Sequence, residues 1–224
     1  MFMIWFDGWE KSPYLVKYCF TTWKNLHPNI PIYFLDTYSL FDWLPDEDTW
    51  VLYSSLTSQM SSDYIRLVLL KHYGGIYIDA RVICQKPIYQ WLPLVLNQET
   101  FFIYTNHITS RFIASWFIVS LYPNHPVVCH VYNEFYKRLQ VPIQRYDYFL
   151  FHHTFADCIR DSSLWNTIPK ISSEIAHLLQ DREKRITMNK RDYIEKTKTA
   201  WMHKCDRFFL PYEDLVVKEI LNRF

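Results

Sequence analysis

Glycine occurs only three times in the 224 residues, and two of the three are adjacent. Ordinary usage near 7% would give roughly 16 glycines. Glycine tolerates left-handed backbone and close approach to the main chain, so each remaining glycine should mark a position that accepts no side chain. The pair Gly74-Gly75 joins a helix-like segment to an apolar run at 76–83, and Gly8 follows an apolar run at 1–6. We expect all three glycines at the ends of one ligand crevice.

The composition indicates a folded protein that is not strongly charged. Half of the residues are apolar, and the formal net charge of +1 gives no argument for binding nucleic acid. The five cysteines include no C-x-x-C pair, which favours reduced thiols over zinc ligands. Residues 1–6 lack the basic start of a signal peptide, and no apolar run reaches the roughly 18 residues of a spanning helix. We therefore expect a cytoplasmic protein with at most peripheral contact at the inner membrane face.

The order of predicted elements is typical of an α/β sheet. A strand at 3–6, a helix from Ser12-Pro13 to about 26 and a strand at 32–35 form a strand–helix–strand unit. The remaining predicted elements are a helix at 61–72, a central strand at 76–83, strands at 101–104 and 114–119, helices at 127–139, 147–159 and 172–179, and a polar, basic tail after 187.

Three charged residues lie on either side of the double glycine in the sequence. Asp63 and Arg66 are three apart in a predicted helix and so share one face, where they form either a surface ion pair or part of a site. Asp79 lies in the second half of the following strand. Since open α/β sheets bind ligands outside the carboxyl ends of their strands, these side chains should converge on one crevice. Carboxylates and a guanidinium suit a polyhydroxylated or anionic ligand.

A second acidic residue, Asp147, precedes an apolar segment. It could address an acceptor or act as a base, but an aspartate before a helix is also a preferred N-cap. The adjacent His152 and His153 face different sides of any helix, so they cannot both ligate one metal. The sequence contains no G-x-S-x-G, P-loop, G-x-G-x-x-G or Cys/His cluster, and hydrolase, kinase and dinucleotide-binding functions find no support.

The block Ser62-Asp63-x-x-Arg66 … Gly74-Gly75-Ile76-Tyr77-Ile78-Asp79-Ala80-Arg81 resembles the donor-site motif of DXD-type sugar transferases, the glycosyltransferase family 32-like grouping. It is most similar to the capsular polysaccharide synthesis branch, whose strand reads G-G-I-aromatic-x-D-A-T. Weaker similarities at 4–9, 14–28, 114–117, 148–153 and 202–204 extend the resemblance over most of the chain.

The resemblance implies a GT-A-like fold, with a mixed, mostly parallel central sheet between helices and a helical C-terminal part. It also implies transfer of a sugar from a nucleotide-diphosphate sugar to a cell-surface or coat glycan or glycolipid, with retention at the anomeric carbon. One domain is expected over 1–224, with a nucleotide-sugar-binding half at 1–125 and an acceptor-side part and tail at 126–224.

The resemblance further assigns roles to individual residues. Asp63 and Arg66 would hold hydroxyls of the transferred sugar, and Asp79 would face the ribose. Trp5 would lie against the base, although it is equally interpretable as a core tryptophan. The other residues expected to contribute to donor binding are Gly74, Gly75, Tyr77, His203 and Lys204.

Arg81 departs from the common pattern, because it stands where DXD motifs place a metal-binding aspartate. Arginine has no acceptor for a cation. Arg81 could neutralise the leaving diphosphate in place of a metal, or pair structurally with Asp79. Alternatively, Arg81 points away and Asp79, His203 and the phosphates hold Mn²⁺ or Mg²⁺ weakly, which we slightly favour. Arg81 also favours an alternative function, that of a non-catalytic nucleotide-sugar-binding partner subunit.

Overall fold

The computed structural model describes residues 1–106, 108, 111–141 and 147–206. Its centre is a five-stranded sheet with the order β2-β1-β3-β6-β5, and a separate two-stranded ribbon pairs β4 with β7. The strands are β1 (Phe2–Ile4), β2 (Tyr33–Leu35), β3 (Gly75–Ile78), β4 (Val82–Cys84), β5 (Phe101–Thr105), β6 (Ile113–Ser120) and β7 (Met202–Lys204).

The direction of the strands fixes the ligand-facing edge of the sheet. β1 pairs in parallel with β2 and β3, whereas β6 runs antiparallel to both β3 and β5. All strands of this sheet except β6 therefore point the same way. The mixed, mostly parallel α/β fold that the sequence predicts is confirmed. The carboxyl ends of β1 and β3 and the beginning of β6 meet at one edge.

Helices cover both faces of the sheet. They are α1 (Gly8–Lys11), α2 (Tyr14–Leu26), α3 (Ser58–Tyr73), α4 (Ile88–Leu96), α5 (Pro126–Gln140), α6 (Leu150–Ile159), α7 (Ser163–Asn166), α8 (Arg182–Thr187) and α9 (Lys190–Thr199). No helix among the described residues has both the length and the apolar character needed to cross a membrane.

The period-two alternation of β3 decides which side chains face α3. Ile76 and Ile78 pack in the apolar cluster on the α2 and α4 side of the sheet, whereas Tyr77 packs in the cluster that contains α3, α5 and α6. Asp79, two residues after Tyr77, emerges on the α3 side. The alternation thus brings Asp79 toward the helix that carries Asp63 and Arg66.

The prediction of one continuous strand at 76–83 is wrong, because β3 ends before Asp79 and a second strand, β4, begins at Val82. The Asp79 amide donates to the carbonyl of Trp116 (2.8 Å), and the Asp79 carboxylate accepts from the amide of Arg81 (3.0 Å). This side-chain turn ends β3 at the sheet edge and directs residues 82–84 into the separate ribbon. The nearly continuous apolar run concealed the break.

The predicted helix at 172–179 is reduced to a short 3-10 turn, Ile175–His177, because Ser172 forms a parallel bridge with Thr105. The polar tail, by contrast, contains the helix α9, which buries Tyr193 and Thr197. After α9 the chain returns as β7 and pairs with β4. The division into halves at 125 and 126 stays a prediction.

Candidate active site

A cavity of about 690 Å³ opens at the carboxyl edge of the sheet. Its wall includes residues from β1, α3, β3, β6 and the last described strand, β7. The structure brings seven of the predicted site residues together here: Trp5, Asp63, Arg66, Tyr77, Asp79, Arg81 and Lys204.

Asp63 and Arg66 form a buried ion pair on α3. Their side chains lie 2.8 Å apart and are each 4% exposed. Arg66 also donates to the carbonyls of Ser115 (2.6 Å) and Ser62 (3.1 Å). These contacts hold the Arg66 guanidinium in one orientation, and its remaining surface faces the cavity.

Burial and neighbouring charge set the protonation of this pair. Burial raises the pKa of Asp63 to about 6, although the Arg66 guanidinium acts in the opposite direction, and the Asp79 carboxylate adds to the rise. Burial disfavours the charged form of Arg66, but Asp63 together with Tyr77 and Asp79 outweighs it, so the pKa of Arg66 is raised. Asp63 thus changes charge within an accessible pH range while Arg66 remains a cation.

Tyr77 forms the floor beneath this pair. The Arg66 guanidinium lies 4.4 Å from the centre of the Tyr77 ring, which is a cation–π geometry. The Tyr77 hydroxyl lies 3.0 Å from the Ser62 hydroxyl. The ring positions Arg66 and supplies an apolar surface to the cavity.

Asp79 forms a second ion pair, with Lys204 of β7. The Lys204 ammonium lies 2.6 Å from the Asp79 carboxylate, and the two side chains are 8% and 27% exposed. Burial acts to raise the pKa of Asp79, but the Lys204 ammonium and the Arg81 guanidinium outweigh it, so this pKa lies well below its ordinary value. Asp79 is therefore ionised and charge-compensated before any ligand binds.

Trp5 lies directly after β1 at the mouth of the cavity. Its amide donates to the carbonyl of Leu35 (2.9 Å), which holds the residue at the sheet edge. The side chain is half-buried, and its indole N–H has no hydrogen-bond partner among the described residues. Trp5 therefore lines the cavity, and its place against the base of a nucleotide stays a prediction.

The two adjacent glycines and His203 do not line the cavity. Gly74 ends α3 with a φ of +65°, and a Cβ there would lie 2.8 Å from the Tyr122 main chain. Gly75 has a φ of +92° and begins β3, at the end of the strand opposite Asp79. We correct their predicted role: the glycines are needed for backbone geometry, not for contact with a ligand. Gly8, which we expected at the crevice, likewise does not line it.

His203 precedes Lys204 on β7 and therefore points to the opposite side of the ribbon. Its imidazole is fully buried and hydrogen-bonds the side chain of Gln85. The structure therefore does not bring His203 to Asp79 as a shared metal ligand.

The fit of this site to a divalent cation can be judged from its donors. Such a cation takes carboxylate, carbonyl or imidazole ligands. Asp79 is engaged by Lys204 and Arg81, and Asp63 by Arg66. Within the described ranges no three His, Cys, Asp or Glu side chains are grouped as metal ligands. The protein groups present do not fit a metal centre.

The far end of the cavity contains residues that sequence reasoning missed as binding residues. His152 lies 3.5 Å from the Ser115 hydroxyl, and burial, with Arg66 and Arg111 nearby, lowers its pKa to about 4. Tyr148, Phe149 and Arg111 form the rim, with Arg111 stacked 4.3 Å from the Phe149 ring centre. The family resemblance marks residues 148–153 only weakly and assigns them no role, and their meeting with Arg111 depends on the fold.

Asp147 does not line the cavity. Its carboxylate accepts from the Phe149 amide (2.8 Å) and lies 3.1 Å from His153, with both side chains about half exposed. It shapes the turn before α6, which begins at Leu150 rather than at the predicted residue 147. The geometry supports the structural interpretation of Asp147 over a role toward the acceptor.

Comparison with known families identifies the family of this chain. A family described as capsular polysaccharide synthesis protein matches residues 1–215. The chain belongs to the capsular polysaccharide synthesis protein family. The resemblance predicted from the residue 62–81 block is thereby confirmed for nearly the whole chain.

Among solved structures, this capsular polysaccharide synthesis family member is similar to a chain titled PaToxG Glycosyltransferase. The identity is 15% and the TM-score 0.49, over 74% of this chain and 71% of that one. No curated protein sequence matches the chain significantly.

Proposed function

We propose that this protein is a glycosyltransferase that moves a sugar from a nucleotide-diphosphate sugar to a surface or coat glycan or glycolipid. One observation carries the proposal: two ion pairs, Asp63–Arg66 and Asp79–Lys204, and the indole of Trp5 share one cavity at the carboxyl edge of the sheet. Membership in a capsular polysaccharide synthesis family supports a sugar-transfer role.

The cavity offers a separate group for each part of a nucleotide sugar. The Trp5 indole provides a stacking face for the base, and such contacts contribute about 1–3 kcal/mol per base. Asp79 accepts hydrogen bonds from ribose hydroxyls, with Lys204 and Arg81 beside it for the diphosphate. Asp63 and Arg66 lie deeper, beside Tyr77, and hold the hydroxyls of the transferred sugar.

Two effects would accelerate the transfer: stabilisation of the departing diphosphate and orientation of the transferred sugar. When the bond between sugar and diphosphate breaks, negative charge builds on the departing phosphate oxygen. Lys204, held 2.6 Å from Asp79, and the nearby Arg81 are cations that stabilise this charge. Asp63 and Arg66 hold the sugar so that the anomeric carbon faces the acceptor. The family resemblance favours retention, and we assign no general base.

The opposite rim provides a place for the acceptor. Tyr148 is 66% exposed and adjoins Phe149, with their ring centres 4.9 Å apart. The Gln59 amide donates to the Tyr148 carbonyl (2.8 Å), which fixes this rim to α3 and hence to Asp63. Aromatic faces with a polar border suit the apolar face of a sugar ring.

The test is release of nucleoside diphosphate from a panel of nucleotide sugars by the purified protein. We expect Asp63→Asn and Asp79→Asn to abolish release, since both carboxylates line the cavity. Asp157→Asn, on the outer surface of α6, is the matched control and should keep full release. Binding of a nucleotide sugar with no release under any condition would instead favour the non-catalytic partner subunit suggested by Arg81.

A further inference from the structure

We propose that the Lys204 ammonium occupies the place of the divalent cation in this site, so that the diphosphate of the donor binds without metal. The inference rests on the proposed function only in identifying the anion as a donor diphosphate. The underlying claim, an anion site built by a lysine of the returning tail, is independent of which sugar is transferred.

The first argument is the position of Lys204. Its ammonium lies 2.6 Å from Asp79, the carboxylate that the family resemblance assigns to the metal. An ammonium at this distance already fills one coordination direction of that carboxylate. The amide of Arg81 fills a second on the same oxygen. A cation at this oxygen would have to displace both donors, and at the other oxygen, Oδ2, it would lie close to the positive charge of the Lys204 ammonium.

The second argument is the local charge. Asp79 brings one negative charge, whereas Lys204 and Arg81 bring two positive charges within electrostatic reach of it. These three groups together carry one net positive charge before a ligand arrives, which favours a diphosphate over a divalent cation beside Lys204, although the carboxylates of Asp7 and Asp181 also line the cavity. Among the described residues, the Arg81 guanidinium makes no ion pair of its own, so it is available to phosphate oxygens.

The third argument is how the chain holds Lys204. β7 pairs with β4 in the register Val82–Lys204, directly after Arg81, and the Cys205 amide donates to the Arg81 carbonyl (2.9 Å). The strand turns His203 inward and Lys204 toward the cavity. The lysine is therefore built into the sheet beside Asp79 and Arg81 rather than reaching the site as a long exposed side chain.

Two probes test the inference on the purified full chain: Mn²⁺ alone and inorganic pyrophosphate in the presence of EDTA. For the wild type we expect pyrophosphate to raise the melting temperature and Mn²⁺ to leave it unchanged, because a ligand stabilises the state that binds it. Lys204→Met should weaken pyrophosphate binding about 10- to 100-fold, as expected for loss of a charged hydrogen bond. Lys204→Arg should retain most of the binding.

Lys24→Met, an exposed lysine on α2, is the matched control and should bind pyrophosphate like the wild type. Because Lys204→Met leaves Asp79 without its partner, the double variant Asp79→Asn/Lys204→Met removes both charges and keeps the experiment interpretable if the single variant does not fold. The double variant should fold and bind pyrophosphate weakly. Unchanged pyrophosphate affinity in a folded variant without Lys204 would overturn the inference.

Titration of the wild type with Mn²⁺ gives the second decisive result. Stoichiometric binding that Asp79→Asn removes, or donor turnover that EDTA abolishes and Mn²⁺ restores, would refute the inference while leaving the proposed function intact. Conversely, Lys204-dependent pyrophosphate binding in EDTA without turnover of any nucleotide sugar would support the anion site and count against the proposed transferase. Failure of the metal-free anion site and failure of the proposed transferase would therefore give different results.

Discussion

Arg66 of α3 and Ser115 of β6 are joined by a 2.6 Å hydrogen bond from the guanidinium to the main-chain carbonyl. This bond links the helix that presents Asp63 to the strand beside β3, from which Asp79 emerges. The guanidinium therefore has two tasks: it compensates the Asp63 carboxylate and holds the helix in register with the sheet edge.

Arg66→Lys tests this double role. A lysine can keep the positive charge near Asp63, but it cannot donate to Asp63, Ser62 and Ser115 together. We expect donor turnover to fall about 10- to 100-fold, the effect of losing one charged hydrogen bond of about 1.5–3 kcal/mol. Steady-state kinetics of nucleoside diphosphate release provide the measurement. The control is Arg138→Lys on the surface of α5, where Arg138 pairs with Glu134 and Asp157. This substitution should leave donor turnover unchanged.

The raised pKa of Asp63 predicts how transfer depends on pH. Because burial raises this pKa to about 6, the carboxylate that we propose to accept sugar hydroxyls is protonated as the pH falls through about 6. Transfer should therefore decline on the acidic side with an apparent pKa near this value. A profile that stays flat down to pH 5 would contradict the assignment of Asp63 to donor binding.

The same group predicts a stability effect of definite sign. Between about pH 4, the ordinary pKa of an aspartate, and about pH 6, the folded protein holds a proton on Asp63 that the unfolded chain has lost. The contribution of Asp63 to the free energy of unfolding is thus complete below about pH 4 and is lost as the pH rises to about 6. Melting temperatures of the wild type and Asp63→Asn, compared across this range, should diverge toward higher pH.

Local sequence rules predict part of this site and fail where distant segments meet. The spacing of Asp63 and Arg66 predicts their shared helix face, and the alternation of β3 explains why Tyr77 and Asp79 face that helix. Nothing local predicts the contact of Lys204 with Asp79, because it depends on the polar tail returning as β7. The family resemblance places His203 in the site as well, but only the pairing of β7 with β4 decides that Lys204, and not His203, faces the cavity.

The double glycine shows a different limit of sequence reasoning. Scarcity correctly marks positions that accept no side chain, but it does not show whether a ligand or the chain itself occupies the space. At Gly74 the occupant is the main chain of Tyr122, which lies 2.8 Å from where a Cβ would be. The pocket is at the other end of the strand.

Gly74→Ala and Gly75→Ala should therefore affect stability and not ligand affinity. Gly74 combines a φ of +65° with the close contact to Tyr122, whereas the nearest atom to a Cβ at Gly75 is Phe2 Cε2, at 3.7 Å. We expect Gly74→Ala to lower the free energy of unfolding by about 3 kcal/mol or more, and by more than Gly75→Ala. Denaturant unfolding measures the difference. Weakened nucleotide-sugar binding by a fully folded Gly74→Ala protein would restore the glycine to the binding site.

Trp5 provides the sharpest test of where the nucleotide base binds. The indole is half-buried at the cavity mouth, whereas Trp9 of α1 packs outside the cavity against Phe20 and Phe34. Loss of one base–aromatic stacking contact of about 1–3 kcal/mol corresponds to about a 5- to 150-fold loss of affinity. Trp5→Ala should weaken nucleoside diphosphate binding by this factor in calorimetry, and Trp5→Phe should restore most of it. Trp9→Ala should lower the stability but leave the affinity of the folded protein unchanged, since the Trp9 ring packs against Phe20 and Phe34 and does not line the cavity. Equal loss of affinity in the Trp5 and Trp9 variants would mean that the base binds elsewhere and that the Trp5 indole acts only in packing.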